Sequence, residues 1–143
     1  MTRTLVAVVL DQVKADEGLR LFPYEDTTGH LTIGYGHNLT AKGLRSTFCE
    51  QLLVADLQDA VAELETALSW VDQLDMVRQG VLLQLAFNLG IKGLLGFHQM
   101  LTHLQAGEWD AAAAALIDST AGHQEPARIQ RWANQLAAGQ QLA

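Results

Sequence analysis

The sequence predicts an α+β protein that is mostly helical, with one small β element followed by about five or six helices. Alternation of apolar and polar residues with a period of two is confined to residues 19–36, whereas apolar residues elsewhere recur at helical steps of three and four. The 143 residues are 49% hydrophobic and 17% charged, which is enough for one domain with a substantial core. This composition excludes intrinsic disorder and collagen-like repeats.

Charge and composition also limit the partners. The net charge is −7, and the nine basic residues are scattered along the chain, so we expect neither nucleic-acid binding nor stable membrane insertion. The single cysteine, Cys49, excludes an intrachain disulfide and fits a reducing compartment. The apolar run Leu5–Leu10 is shorter than the core of a secretory signal, so the sequence predicts an amphipathic helix there and no export signal. We expect a monomer.

The first helix and the β element are predicted from local signals. The helix should end near Gly18, where glycine accepts the left-handed conformation of a C-cap. Glu25–Gly29 has the composition of a turn, which predicts a short hairpin or meander. On the returning strand, Leu31, Ile33 and Tyr35 should share one face.

The remaining helices are predicted from caps and from apolar stripes. They comprise a long helix opened by the capping box Thr47–Glu50, a helix capped by Asp75 and ended by Gly90, a helix between Gly93 and Gly107, an Ala-rich helix over Trp109–Ile117, and a last helix starting at Pro126. The last helix carries Ile129, Trp132 and Leu136 at helical spacing, and residues 118–123 read as a loop.

Glu17, Asp26 and Thr32 are the candidate catalytic residues. Glu17 lies at the carbonyl end of the first helix, where the macrodipole favours the protonated form that a general acid needs. Asp26 lies in a donor-rich turn that keeps it ionised, and the Thr32 hydroxyl could hold a water against it. Two such carboxyl groups are what glycoside hydrolysis requires. Each residue also has a structural interpretation: a solvated glutamate, a turn-forming aspartate and an ordinary strand threonine.

The order of these residues resembles the signature of phage-type lysozymes, the endolysins of glycoside hydrolase family 24. The similar segments are Glu17–Leu21, Tyr24–Gly29 and Leu31–His37, with the family's spacing of Glu, Asp and Thr. Further similar segments follow: Val77-Arg78, Ala86–Gly90, Gly96-Phe97, Gly107–Ala112 and Pro126–Arg131. The resemblance extends from about Lys14 to Gly139.

The resemblance implies a single lysozyme-like domain over residues 1–143. It comprises a β-containing lobe at about 15–45, a connecting helix at about 47–69, and a helical lobe at about 75–139 on which the first helix packs. The implied substrate is the peptidoglycan strand, cut at the β-1,4 bond between N-acetylmuramic acid and N-acetylglucosamine. Glu17 would be the acid, Asp26 and Thr32 would activate water with inversion, and no cofactor is implied. Inversion needs about 6.5–9.5 Å between the carboxyl groups, against about 5–5.5 Å for a retaining route.

The resemblance also implies supporting residues. Asn38 and Phe87 correspond to sugar contacts, although a core aromatic is an equally good interpretation of Phe87. Arg128 either pairs with Glu17 or is a surface arginine. His37 is expected to be structural, with Asp56 as its suggested carboxylate partner. The five histidines lack metal-ligand spacing, so no metal is expected.

The chain also departs from the family pattern. Residues 119–123 lack the aromatic side chain common in relatives, and Met100 and Ala115 stand where relatives offer polar groups to the sugar. A charge of −7 predicts repulsion from an anionic wall and activity that rises with moderate salt.

Several alternatives to a muramidase stay open. Another polysaccharide such as chitin oligomers, a transglycosylase, a catalytically weak cell-wall-binding or phage structural module, and a helical interaction protein are all considered. For the enzyme, we expect residence in the host bacterial cytoplasm until the membrane is permeabilised, and then in the periplasm and cell wall.

Overall fold

The computed structural model describes residues 2–139, which divide into two compact units. The first unit is residues 1–51 and the second unit is residues 52–143, so that the division falls within one helix. In chain order the elements are α1 Thr2–Glu17, β1 Arg20–Glu25, β2 Leu31–Gly34, β3 His37–Asn38, α2 Leu39–Lys42, α3 Ser46–Ala67, a 3-10 turn Val71–Gln73, α4 Met76–Leu95, α5 His98–Gln105, α6 Trp109–Ile117, α7 Thr120–Gln124 and α8 Pro126–Ala138. The prediction of a mostly helical α+β fold is confirmed.

In the first unit, α1 leads through a glycine cap into a small sheet. Gly18 has a φ of +71° and donates its N–H to the carbonyl of Lys14 at 3.0 Å, as the sequence predicts. The sheet is antiparallel in the order β1–β2–β3. Thr32 is central to its register, because it pairs with Tyr24 on β1 and with Asn38 on β3.

The strand face expected to be apolar differs in the structure. Strand β2 ends at Gly34, so Tyr35 lies in the turn to β3 rather than on the strand. The buried residue of β2 is Thr32, with 3% of its surface exposed, whereas Leu31 is exposed. The turn comes early because Gly34 and Gly36, with φ of +69° and +75°, allow the chain to reverse there.

The second unit contains a hydrophobic core. Helix α6 packs against α5 and α8, and α8 also packs against α4 and α7. The predicted stripe of α8 is confirmed, since Ile129, Trp132 and Leu136 are all buried. The largest side chains that are almost completely buried are Val81, Leu82, Leu85, Leu94, Met100, Leu104, Leu116 and Leu136.

Several predicted helix ends are confirmed, and others lie at different residues. Asp75 caps α4 by accepting the N–H of Arg78 at 3.0 Å, and the predicted starts at Trp109 and Pro126 are those observed. Helix α3 begins at Ser46, which places Thr47 inside the first turn instead of at the predicted cap. Gly90, with a φ of +74° and a ψ of +164°, is not helical and interrupts α4 where the sequence predicts a helix end, and a second helical segment follows this kink.

The predicted loop at residues 118–123 is wrong, since α7 covers most of it. Ser119 starts the helix, and its hydroxyl accepts the N–H of Gly122 at 3.1 Å. Gly122 is needed there because a Cβ would collide with the main-chain carbonyl of Ile117. The small residues of this segment therefore allow close packing of α7 on the end of α6.

Arg78 joins the start of α4 to the end of α8. Its side chain is 9% exposed, and the Nε and Nη2 atoms donate to the carbonyls of Leu136 and Ala137 at 2.6 and 3.0 Å. Its Nη1 donates to Asp75 at 2.7 Å, and the guanidinium lies 3.9 Å from the centre of the Trp109 ring. These carbonyls have no intrahelical partner at a helix end, so the arginine completes the hydrogen bonding of α8.

Within residues 2–139, none of the helices is by itself both long and apolar enough to span a membrane. Helices α4 and α5 meet that test only as a pair, and they are bent at 99° to each other. The proposed division into a β-containing lobe, a connecting helix and a helical lobe stays a prediction.

Candidate active site

Glu17, the last residue of α1, lies against the turn between β2 and β3. A Cβ placed on Gly36 would be 2.7 Å from the Glu17 Oε2 atom, so the carboxyl group occupies the space that a side chain would take. Gly36 therefore serves two purposes, since it also adopts a positive φ. The end of α1 and the β2–β3 turn meet at this carboxyl group.

Asp26 organises the turn between β1 and β2. Its Oδ1 accepts three hydrogen bonds, from the N–H and hydroxyl of Thr28 at 2.9 and 2.8 Å and from the N–H of His30 at 2.9 Å. The bond from the His30 N–H, followed by that from the Thr28 hydroxyl, lowers the pKa of Asp26 below its ordinary value. Asp26 is thus the ionised, turn-forming carboxylate that the sequence predicts.

The main chain of His30 brings Asp26 and Thr32 together. Its carbonyl accepts the Asp26 N–H at 2.9 Å and the Thr32 hydroxyl at 2.9 Å. The Thr32 hydroxyl proton is therefore already used, and the oxygen keeps only its capacity to accept. A water held by Thr32 must donate to it, which refines the expectation from the sequence.

Asn38 and His37 both take part in local hydrogen bonds of the first unit. The Asn38 Oδ1 accepts the N–H of Ala41 at 2.9 Å and caps α2, and among residues 2–139 the amide NH₂ has no hydrogen-bond partner. The His37 Nε2 lies 2.6 Å from the carbonyl of Gly43. This main-chain contact agrees with a structural role for His37, and the suggested pairing with Asp56 stays a prediction.

Phe87 and Arg128 belong to the second unit. Phe87 is 46% exposed, which rejects its interpretation as a core aromatic. It lines a groove of about 280 Å³ together with Asp56, Asp59 and Glu63 of α3. Arg128 pairs with Glu125 at 3.0 Å on the same helix, and its proposed pairing with Glu17 stays a prediction.

Met100 and Ala115, the two departures from the family pattern, line a larger cavity of the second unit. Met100 is almost completely buried and Ala115 is partly buried, and both border a cavity of about 570 Å³. Phe97 and Ala121 add further apolar surface to the same cavity. The polar side chains of the lining are those of His98, Gln99, Asp118, Ser119 and Thr120.

Sequence reasoning missed two side chains at Asp26. Besides its bonds to Asp26, Thr28 has its Oγ1 2.7 Å from the His30 Nδ1, and that nitrogen is 3.7 Å from the Asp26 Oδ2. The signal available in the sequence was a hydroxyl two residues after an Asx-turn aspartate, together with an imidazole four residues after that aspartate. Among residues 2–139, no group of three or more His, Cys, Asp or Glu side chains could hold a metal ion.

Comparison with known proteins identifies the class. Residues 14–141 match the phage lysozyme family, and the chain therefore belongs to that family of lysozyme-like glycoside hydrolases. It is 29% identical to "Probable T4-type lysozyme 1" of Dictyostelium discoideum, over 89% of this chain and 92% of that protein. It is 28% identical to "Probable T4-type lysozyme 2" of the same organism over the same shares. The match to "Pre-baseplate central spike protein Gp5" of Enterobacteria phage T4 is also 28% identical, over 85% of this chain but 26% of that protein.

Proposed function

We propose that this protein is a muramidase that hydrolyses the β-1,4 bond between N-acetylmuramic acid and N-acetylglucosamine in peptidoglycan. The observation that carries the proposal is the grouping of Asp26 and Thr32 around His30 in a member of the phage lysozyme family. Through the main chain of His30, this grouping links a carboxylate of lowered pKa to a hydroxyl whose oxygen can still accept a hydrogen bond.

Glu17 is proposed as the general acid. It protonates the glycosidic oxygen as the bond to the leaving sugar breaks, which avoids expelling an alkoxide. The approach of Gly36 to its carboxyl group supports this role, because a side chain at that position would displace the acid.

Asp26 and Thr32 are proposed to orient the attacking water. The water donates one hydrogen bond to the Asp26 Oδ2 and the other to the Thr32 Oγ1, and its lone pair attacks the anomeric carbon. Asp26 accepts the proton released by the water, so that Glu17 ends ionised and Asp26 protonated until they re-equilibrate with solvent. Attack by water on the face opposite the leaving group inverts the anomeric carbon.

Substrate binding is proposed to use Asn38 and Phe87, with Arg128 in a supporting role. The amide NH₂ of Asn38 is free to donate to a sugar, and the exposed ring of Phe87 offers a flat apolar surface to a pyranose. The guanidinium of Arg128 is exposed beside Glu125 and can orient an acidic group.

The test is digestion of purified sacculi followed by mass spectrometry of the released muropeptides. The wild type should release reducing N-acetylmuramic ends, whereas Glu17→Gln should lower the rate by at least about 100-fold because it cannot donate the proton. Glu65→Gln, an exposed change on α3, is the matched control and should act like the wild type. Equal rates for the wild type and Glu17→Gln contradict the assignment of the acid, and anhydromuramic ends indicate a transglycosylase.

A second candidate is a wall-binding or phage structural module that retains the lysozyme fold. The match to the T4 central spike protein favours it, because that relative carries the similar region within a much longer chain. Co-sedimentation with sacculi separates the two functions: binding without release of muropeptides supports the module, and release that depends on Glu17 excludes it.

We also propose that the protein is a monomer that stays in the host bacterial cytoplasm until the membrane is permeabilised. The family membership and the acidic composition support this proposal. Fractionation of cells before and after permeabilisation tests it, since early recovery from the periplasm contradicts the proposal. Sedimentation of the purified protein tests the oligomeric state.

A further inference from the structure

The imidazole of His30 lies beside the carboxylate proposed to activate water. Its Nδ1 is 2.7 Å from the Thr28 Oγ1 and 3.7 Å from the Asp26 Oδ2. About half of the His30 side chain is exposed, so the ring can exchange protons with solvent. A histidine changes its charge within about pH 5–8, where its neighbour Asp26 is already ionised.

The hydrogen bonds define which ring nitrogen carries a proton. The Thr28 hydroxyl has one hydrogen, and the ionised Asp26 Oδ1 at 2.8 Å can only accept it. The Thr28 oxygen must therefore accept from the other neighbour, so the His30 Nδ1 is the donor. The result is a hydrogen-bond relay in which the His30 Nδ1–H donates to the Thr28 Oγ1, and the Thr28 hydroxyl donates to the Asp26 Oδ1. In the neutral His30 ring, Nε2 therefore carries no proton.

The two carboxylate oxygens of Asp26 differ in their hydrogen bonding. Oδ1 receives three hydrogen bonds, whereas among the described residues Oδ2 accepts none and lies 3.7 Å from the His30 Nδ1. Oδ2 is thus the oxygen left to accept from water. A proton gained at Nε2 makes the ring a cation, and its attraction to Oδ2 weakens that oxygen as a base.

We propose that His30 is a positioning residue that orients Asp26 through Thr28 when neutral and reduces its basicity when protonated. This inference rests on the proposed function, since it assigns the pH dependence of the same site. Other titratable and charged groups on the neighbouring elements are Arg20, Tyr24 and Glu25 on β1, His37 on β3 and Lys42 on α2. These groups are unchanged in the variants below, so their effect on activity cancels when a variant is compared with the wild type.

The test separates the effect of His30 on the orientation of Asp26 from the effect of the His30 charge. In His30→Asn the side-chain NH₂ can replace the Nδ1–H donor but cannot become a cation. Relative to that of the wild type, its kcat/KM should rise by about 3- to 10-fold between pH 8 and pH 5. His30→Ala and Thr28→Val break the relay and should lower kcat at pH 8 by about 3- to 10-fold, with Thr28→Ser restoring it. His123→Asn, an exposed change on α7, should follow the wild type at every pH.

The proposal is overturned if the ratio of kcat/KM in His30→Asn to kcat/KM in the wild type is constant from pH 5 to pH 8. A second measurement needs no substrate: ¹⁵N NMR of the neutral His30 ring should show Nδ1 protonated, and protonation at Nε2 overturns the relay. The proposed function fails in a different way, through a sacculus assay that is insensitive to Glu17→Gln.

Discussion

The two units of this protein are stabilised in different ways. Of residues 5–51, only Thr32 is buried, and even the aromatic Phe22 on β1 is 82% exposed. Order in this unit comes from strand pairing, the hydrogen bonds of Asp26 and glycines at positive φ. The second unit instead buries a continuous set of aliphatic and aromatic side chains from α3 to α8. The proposed acid, base and water-positioning residues all lie in the unit without such a core.

This difference has a physical rationale. Close packing of apolar side chains supplies most of the stability of a domain, but it leaves no room for a hydrated carboxylate. Hydrogen-bonded turns hold polar groups in defined directions while leaving them accessible to water. We therefore expect changes in the second unit to alter stability, and changes in the first unit to alter activity more than stability.

The largest expected effect is that of truncation in the core. Leu85→Ala removes a side chain that is completely buried in α4 and should lower the free energy of unfolding by about 2–5 kcal/mol. The matched change in the first unit, Leu21→Ala, removes an exposed side chain from β1 and should cost less than about 0.5 kcal/mol. Urea unfolding of both variants measures the difference, and equal losses would contradict the contrast between the units.

Removal of the Arg78 guanidinium should have the next largest effect. Arg78→Met keeps the bulk of the side chain but loses its bonds to Leu136 and Ala137, which should cost about 1.5–3 kcal/mol. Arg78→Lys, which keeps the charge without the planar fork, should recover only part of that loss. Thermal unfolding measures both variants, and wild-type stability in Arg78→Met would contradict the role of the arginine.

The contact of Arg78 with Asp75 should make the stability of the fold depend on pH. Burial by itself raises the pKa of Asp75, but the hydrogen bonds from the Arg78 N–H and guanidinium outweigh it, so the pKa lies below its ordinary value. A lowered pKa stabilises the folded state above the unfolded value of about 3.9, and that contribution is lost as the pH falls through the folded value. The stability difference between the wild type and Arg78→Met should therefore shrink below about pH 4.

Gly36→Ala should affect stability less than the changes at Leu85 and Arg78, but it should reduce activity strongly. The positive φ costs about 1 kcal/mol in an alanine, and the new Cβ displaces the Glu17 carboxyl group. A displacement of that kind should lower kcat by about 100-fold. Gly34→Ala has a similar φ but meets no atom within 4 Å, so it should cost similar stability and retain most activity. Equal activities in the two variants would contradict the contact with Glu17.

Much of the fold was predictable because its signals are local. Gly18, Asp75 and Pro126 define helix ends through backbone geometry or a cap within one turn, and all three predictions are confirmed. Errors arose where a neighbour in space decided the outcome. The segment at Gly122 reads as a loop from its composition, and it forms α7 because it packs closely on the end of α6.

The sequence by itself determined the fold class, the family and the identity of the candidate catalytic residues, because periodicity, caps and motif spacing are properties of the chain order. Only the tertiary structure decided what those residues contact. The Thr32 hydroxyl donates to the His30 carbonyl, Glu17 lies against Gly36, and Arg78 reaches the far end of α8. These contacts depend on where strands turn and helices end in three dimensions, since a hydrogen bond or a collision is set by ångström distances that spacing along the chain does not specify.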